Sequence, residues 1–148
     1  MKYFIGNWKM FGIPGSIKIL DRINNYVKKD KARSKNYKVI ISPPYTLLEN
    51  FTKSFKNKKI SISAQNCFHK NNYGSHTGFV SPYMIKKLGV KNVIIGHSEN
   101  REAGENNHIL KEKVLASVKN NLNIIFCIGE NKYEKRKKLT LNVLKNQI

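Results

Sequence analysis

At 148 residues and 40% hydrophobic content, the chain is long enough for one domain with a real core and has an ordinary globular composition. No apolar run approaches a membrane span, and Met1-Lys2 passes straight into strand-like sequence without a leader's apolar stretch, so a cytoplasmic protein with no membrane partner is expected. The net charge of +19 raises nucleic-acid binding, but the lysines run through nearly every segment beside abundant Asn and Ile, which reads as compositional drift rather than a binding stripe, so no nucleic-acid partner is expected.

The two cysteines, Cys67 and Cys127, form no CxxC pair and fit a reducing compartment. Cys67, His69 and His76 lack a fourth ligand, and their segment reads as a polar loop, so no metal is expected. The dense block Lys135-Arg136-Lys137-Lys138 lies in a helix-like stretch and reads as a solvated face.

Residues 2–9 read as a first strand. Alternation along it puts Asn7 and Lys9 on one side and Trp8 on the other, so an amide and an ammonium meet where an anionic or carbonyl oxygen can bind. Gly12, Pro14 and Gly15 make a turn, and Ser16 is placed to cap a helix to about Lys29 with Ile19, Leu20, Ile23 and Val27 inward. Residues 37–42 form the second strand. Pro43 and Pro44 then open a helix whose Leu47, Leu48, Phe51 and Phe55 recur at helical spacing.

The third strand, residues 60–65, empties into a long loop that reaches Gly78, and loops of that length in small domains are often functional. Ser81-Pro82 begins a short helix that ends at Gly89. A fourth strand, residues 90–96, follows. A helix from about Asn107 carries Leu110, Val114, Leu115 and Val118. A fifth strand spans residues 122–128, and a final helix-like segment carries Leu139, Val143 and Leu144.

The chemistry concentrates at residues 93–99. Val93, Ile94 and Ile95 read as a strand buried on both faces, and the run breaks at Gly96 to present His97, Ser98 and Glu99. Strand and helix alternate about five times, which demands a parallel sheet with right-handed crossovers. Polar residues at the carboxyl end of a buried strand are where such folds place their sites. No P-loop or Gly-rich dinucleotide fingerprint follows any strand. Pattern alone leaves two architectures open, a doubly wound sheet or part of a (β/α)8 barrel.

Four motifs in register resemble the triosephosphate isomerase family. They are Gly6-Asn7-Trp8-Lys9-Met10, then Ala64-Gln65-Asn66 with Gly74 and Thr77-Gly78, then Ile95-Gly96-His97-Ser98-Glu99 with Arg101, and Cys127-Ile128-Gly129-Glu130. The likeness runs from Met1 to Ile148. It implies an α/β fold, a (β/α)8 TIM barrel of which this chain holds about the first five β/α units as the N-terminal part of a single domain.

The resemblance also implies a glycolytic and gluconeogenic enzyme that interconverts dihydroxyacetone phosphate and glyceraldehyde 3-phosphate through an enediolate, without a cofactor. His97 matches the family's electrophile. The family is itself the standard example of an imidazole kept neutral so that it can polarise a carbonyl. Lys9 would balance the charge of substrate and enediolate, with Asn7 helping to place the substrate. Ser98 would begin a helix at the site, and Glu99 would pair with Lys9. Gln65 and Thr77 are implied at a homodimer interface.

Two departures go together. Phe79 stands where the family commonly has an acid, and Asn100 where it has an arginine. Losing both removes an ion pair across the dimer without stranding a charge. The segment 101–105 is also a residue shorter than the family pattern. Glu130 matches a position after the fifth strand and is not the catalytic base. The family's base and closing lid match nothing in residues 1–148, so the chain alone is expected to be inactive. The alternative from another class is a non-catalytic half-barrel that associates with itself or with a complementary chain.

Overall fold

The computed structural model describes residues 1–30, 36–56 and 58–148. Five strands, β1 (Lys2–Asn7), β2 (Tyr37–Ser42), β3 (Ile60–Ala64), β4 (Asn92–Ile95) and β5 (Asn123–Phe126), pair in parallel, each with the next in sequence. The register runs from Lys2 beside Tyr37 to Asn7 beside Ser42, and ends with Ile95 beside Phe126. A doubly wound sheet reverses its strand order at a switch point, whereas a barrel wall advances in one direction. The order β1-β2-β3-β4-β5 has no reversal, so the sheet is a half-barrel.

The helices are α1 (Ile17–Lys29), α2 (Tyr45–Ser54), α3 (Pro82–Lys87), α4 (Ser98–Glu102), α5 (Asn107–Lys119), α6 (Lys132–Arg136) and α7 (Thr140–Gln147). Their starts follow local chemistry. Ser81 Oγ accepts the amide N–H of Met84 ahead of Pro82, and the Asn106 side chain accepts that of Ile109. Asn131 and Glu134 form a reciprocal capping box at α6. Ser16 differs from expectation: its hydroxyl accepts the N–H of Ile13 in a short 3-10 turn at Pro14–Ser16, and α1 begins without a side-chain cap.

The core lies between the sheet and α1, α2, α3 and α5. Leu20, Leu47, Leu48, Phe51, Ile60, Ile85, Val93, Ile95 and Leu110 are buried in it. Every predicted apolar position of α2 is inward, Phe55 at its carboxyl end included. Two other helix faces are narrower than their periodicity implied. Ile19 is exposed while Asn24 is buried, because its Oδ1 accepts the N–H of Lys59 at the approach to β3. On α5, Leu115 and Val118 are exposed and the inward positions are Leu110, Lys113, Ala116 and Ser117. No helix among the described residues is long and apolar enough to cross a membrane.

Candidate active site

β1 stops two residues earlier than its sequence pattern. Its last paired residue is Asn7, and Trp8 turns inward to meet Phe51 edge-on with ring centroids 5.6 Å apart. Lys9 then takes a left-handed conformation with φ 53°, a region that costs a non-glycine residue energy unless its surroundings hold it. Three contacts do. The Lys9 N–H donates to Asn7 Oδ1 at 2.8 Å, its carbonyl accepts Gln65 Nε2 at 2.8 Å, and its Nζ reaches Glu99 Oε1 at 2.7 Å. Gln65 Nε2 also donates to the carbonyl of Ser42 at 2.9 Å, so one amide ties the ends of β1 and β2.

The second wall comes from β4. Gly96 is buried with φ 77°, and a Cβ there would come within 3.0 Å of both Arg101 Nη2 and the carbonyl oxygen of Cys127. Glycine is required on both counts. The turn delivers His97, the residue before α4. Its Nδ1 accepts the N–H of Glu99 at 3.3 Å, and its carbonyl receives the N–H groups of Asn100 and Arg101 at 2.9 and 3.1 Å. A ring nitrogen that accepts from a backbone N–H carries no proton, so this contact directs the neutral ring's proton to Nε2. Glu99 Oε2 lies 3.5 Å from the same Nδ1. The Lys9 ammonium bonded to the Glu99 carboxylate holds it below its ordinary pKa. This pair is half-exposed and solvent-screened.

Two clefts meet at His97. One, about 600 Å³, is lined by Asn7, Lys9, Tyr45, Gln65, Glu99 and Asn100 together with the histidine. The other, about 990 Å³, runs between the ends of β4 and β5 past Arg101, Cys127 and Glu130. The larger carries Arg101, Glu102, Glu130, Lys132 and Glu134 but neither Asn7 nor Lys9. Lys9, Asn7 and His97 share only the smaller cleft, and that is where a carbonyl and a neighbouring anion can be held together.

Ser98 is exposed as the first residue of α4. Thr77 is exposed in the long loop, and no contact joins it to the cleft. The amide of Gln65 is spent inside its own chain. Phe79 stacks on Phe68 with centroids 4.3 Å apart. Of the residues first considered as metal ligands, Cys67 Sγ contacts Ser117 Oγ at 3.4 Å, while His69, which faces Glu112, and His76 both pack on Phe68. No group of three or more His, Cys, Asp or Glu able to hold a metal occurs among the described residues.

A buried network behind the cleft had no sequence signal of its own. Lys113 Nζ donates to Glu105 Oε1 and, at 2.9 Å, to Asn66 Oδ1, while Asn66 Nδ2 donates to Glu105 Oε1 at 2.8 Å. The Tyr45 hydroxyl donates to the carbonyl of Asn66, and burial pushes that phenol above its ordinary pKa.

Burial also raises the Cys127 thiol, with the Arg101 guanidinium pulling the other way. Alkylation of Cys127 should therefore still accelerate above about pH 9.5, where a free thiol with pKa near 8.5 is already roughly nine-tenths thiolate. Peptide mass spectrometry after timed exposure to iodoacetamide in a Cys67→Ser background measures it. A plateau reached by about pH 9.5 would contradict the expectation.

A parallel β/α half-barrel with polar side chains gathered at the carboxyl ends of β1, β3 and β4 defines a TIM-barrel protein with its candidate site on the face where such folds place theirs. A family model described as triosephosphate isomerase matches residues 2–148. The triosephosphate isomerase of Thermodesulfovibrio yellowstonii is 38% identical over 99% of this chain and 58% of its own length. That of Thermoanaerobacter pseudethanolicus is 35% identical over 96% of this chain and 56% of its own. The crystal structure of the Bartonella henselae enzyme superposes with a TM-score of 0.90 at 33% identity, covering 99% of this chain and 59% of that one. The chain belongs to the triosephosphate isomerase family, and it spans somewhat over half the length of the relatives it matches.

Proposed function

We propose that residues 1–148 supply the electrophilic and charge-balancing half of a triosephosphate isomerase site. The substrates are dihydroxyacetone phosphate and glyceraldehyde 3-phosphate, interconverted without a cofactor. The observation that carries the reading is the convergence of Asn7, Lys9 and His97 on one cleft. His97 presents Nε2–H to the carbonyl oxygen as the carbon acid loses its proton and the enediolate forms. Lys9 offsets the negative charge of phosphate and enediolate, and Asn7 orients the substrate beside it. Among the described residues the one carboxylate lining that cleft is Glu99, which is ion-paired with Lys9, so this reading takes the proton-abstracting base from outside these 148 residues.

A homodimer accompanies this reading. The exposed Met10 and Phe11 line the small cleft, and Thr77 and Phe79 stand on the exposed loop that would enter a second copy's cleft. Phe79, stacked on Phe68 of its own chain and still exposed, offers an apolar surface where the family commonly has an interfacial acid. The rival half-barrel reading draws on Tyr3, Phe4, Ile5 and Phe126, exposed apolar residues on the sheet's two flanks.

The test is a coupled isomerase assay on purified residues 1–148, alone and mixed with the remaining part of the T. yellowstonii barrel, with sedimentation of both samples. No turnover alone and turnover on mixing are expected. Turnover by the chain alone, abolished by His97→Gln, would overturn the division of the site. A stable mixed assembly with no turnover would favour the structural reading.

A further inference from the structure

We propose that Arg101 is a positioning residue for His97, one that sets which ring nitrogen carries the proton by clamping the peptide units on both sides of the histidine. The main-chain N–H of Arg101 donates to the carbonyl of His97 at 3.1 Å, and its Nε donates to the carbonyl of Gly96 at 2.9 Å. A single residue therefore holds the peptide entering His97 and the one leaving it. Its Nη2 donates to the carbonyl of Cys127 at 3.1 Å, its Nη1 to Asn107 Oδ1 at 3.1 Å, and the guanidinium lies over the Phe126 ring.

The need for such a clamp follows from the backbone. The ladder between β4 and β5 continues as far as the Cys127 N–H donating to Ile95 at 2.9 Å. Beyond it the carbonyls of Gly96 and Cys127 both lie within reach of one guanidinium, and two acceptors cannot bond each other. A planar guanidinium with donors in a fixed fork satisfies both at once; an ammonium is a single point of charge. The left-handed Gly96 turn is thereby locked to the neighbouring strand. His97 Nδ1 faces the Glu99 N–H only while this turn and the start of α4 keep their relative positions. Loosening the clamp frees the ring to hold its proton on Nδ1 instead, toward the Glu99 carboxylate 3.5 Å away.

Long-range proton–nitrogen NMR on the 148-residue chain with labelled histidine reads the tautomer, with His97→Gln used to assign the signal. In the unaltered chain the Nε2–H form dominates. Arg101→Met should raise the Nδ1–H form about tenfold, the factor that one well-made hydrogen bond is worth. Arg101→Lys, which keeps the charge and one contact, should fall between. Asn107→Ala, which removes only the outer contact, should leave the ratio unchanged. An unchanged tautomer ratio in a cooperatively folded Arg101→Met chain overturns the proposal. Loss of cooperative folding in both Arg101→Met and Arg101→Lys also overturns it, since the residue would then serve folding rather than the ring. The proposal rests on His97 as the electrophile. Because the tautomer is read without turnover, failure of the isomerase reading and failure of the clamp are separate results.

Discussion

Lys113→Met is expected to cost about 3–5 kcal/mol of folding stability, the typical penalty for stranding one partner of a buried ion pair. The Lys113 side chain is 5% exposed and that of Glu105 17%, so removing the ammonium leaves a carboxylate with little water to replace it. The loss spreads further than one contact. Asn66 Oδ1 accepts from both Lys113 Nζ and the Cys67 N–H, so the beginning of the long loop after β3 loses part of its tie to α5. Replacing both partners, Lys113→Met with Glu105→Leu, should recover most of the stability, because no unpaired charge then remains. Lys53, paired with Glu49 on the exposed face of α2, is the control, since i,i+4 surface pairs contribute only about 0.3–0.5 kcal/mol. Urea titrations compared at equal m-values decide it. A midpoint for Lys113→Met no lower than that of Lys53→Met would sink the account.

That network shows where sequence reading stops. Lys113 lies on a helix with ordinary polar spacing, and a lysine there reads as solvated. Its partners come from residue 105, before the helix begins, and from residue 66, after β3. Nothing local marks the encounter. The same holds for α5 as a whole: its periodicity pointed Leu115 and Val118 inward, but the buried face is the one that carries Lys113 and Ser117 to the loop. By contrast, the strand and helix succession was legible because it rests on apolar runs and turn residues that act over a few positions. The parallel order followed from connection lengths. What pattern alone could not choose, barrel wall or doubly wound sheet, depended on lateral strand order, a property of distant pairings.

The site was legible to a similar depth. His97 at the end of a buried strand and the Asn7–Lys9 spacing were visible as residue types in place. The route to Lys9 was not. Strand alternation put Asn7 and Lys9 side by side, but the ladder ends at Asn7 and a left-handed residue brings Lys9 round to Glu99. Arg101 was visible only as part of a motif, because its targets are main-chain carbonyls, and every residue has one of those.

Lys9→Met should have the largest effect on activity, lowering kcat/KM by at least the roughly 10²–10³-fold that follows loss of one preorganised charge-stabilising group. The measurement belongs in whichever assembly of this chain turns over. Under the proposed function the ammonium acts on two charges, the phosphate present throughout and the enediolate oxygen that develops, so both KM and kcat should suffer. His97→Gln acts on the second alone. Its kcat should fall by a similar factor with KM nearly unchanged, the mark of an interaction made in the transition state. Lys9→Arg should not restore the rate, because a planar fork cannot take the place of a compact ammonium held by Glu99 and by a left-handed backbone. Glu99→Gln is the informative contrast. It removes the partner but leaves the ammonium in the cleft, and with the pair half-exposed the loss should stay within about tenfold, the scale of a screened surface interaction. If Lys9→Met and Glu99→Gln fall equally, the pair rather than the ammonium is the working unit. If His97→Gln changes KM and leaves kcat alone, the imidazole is a binding group and not the electrophile.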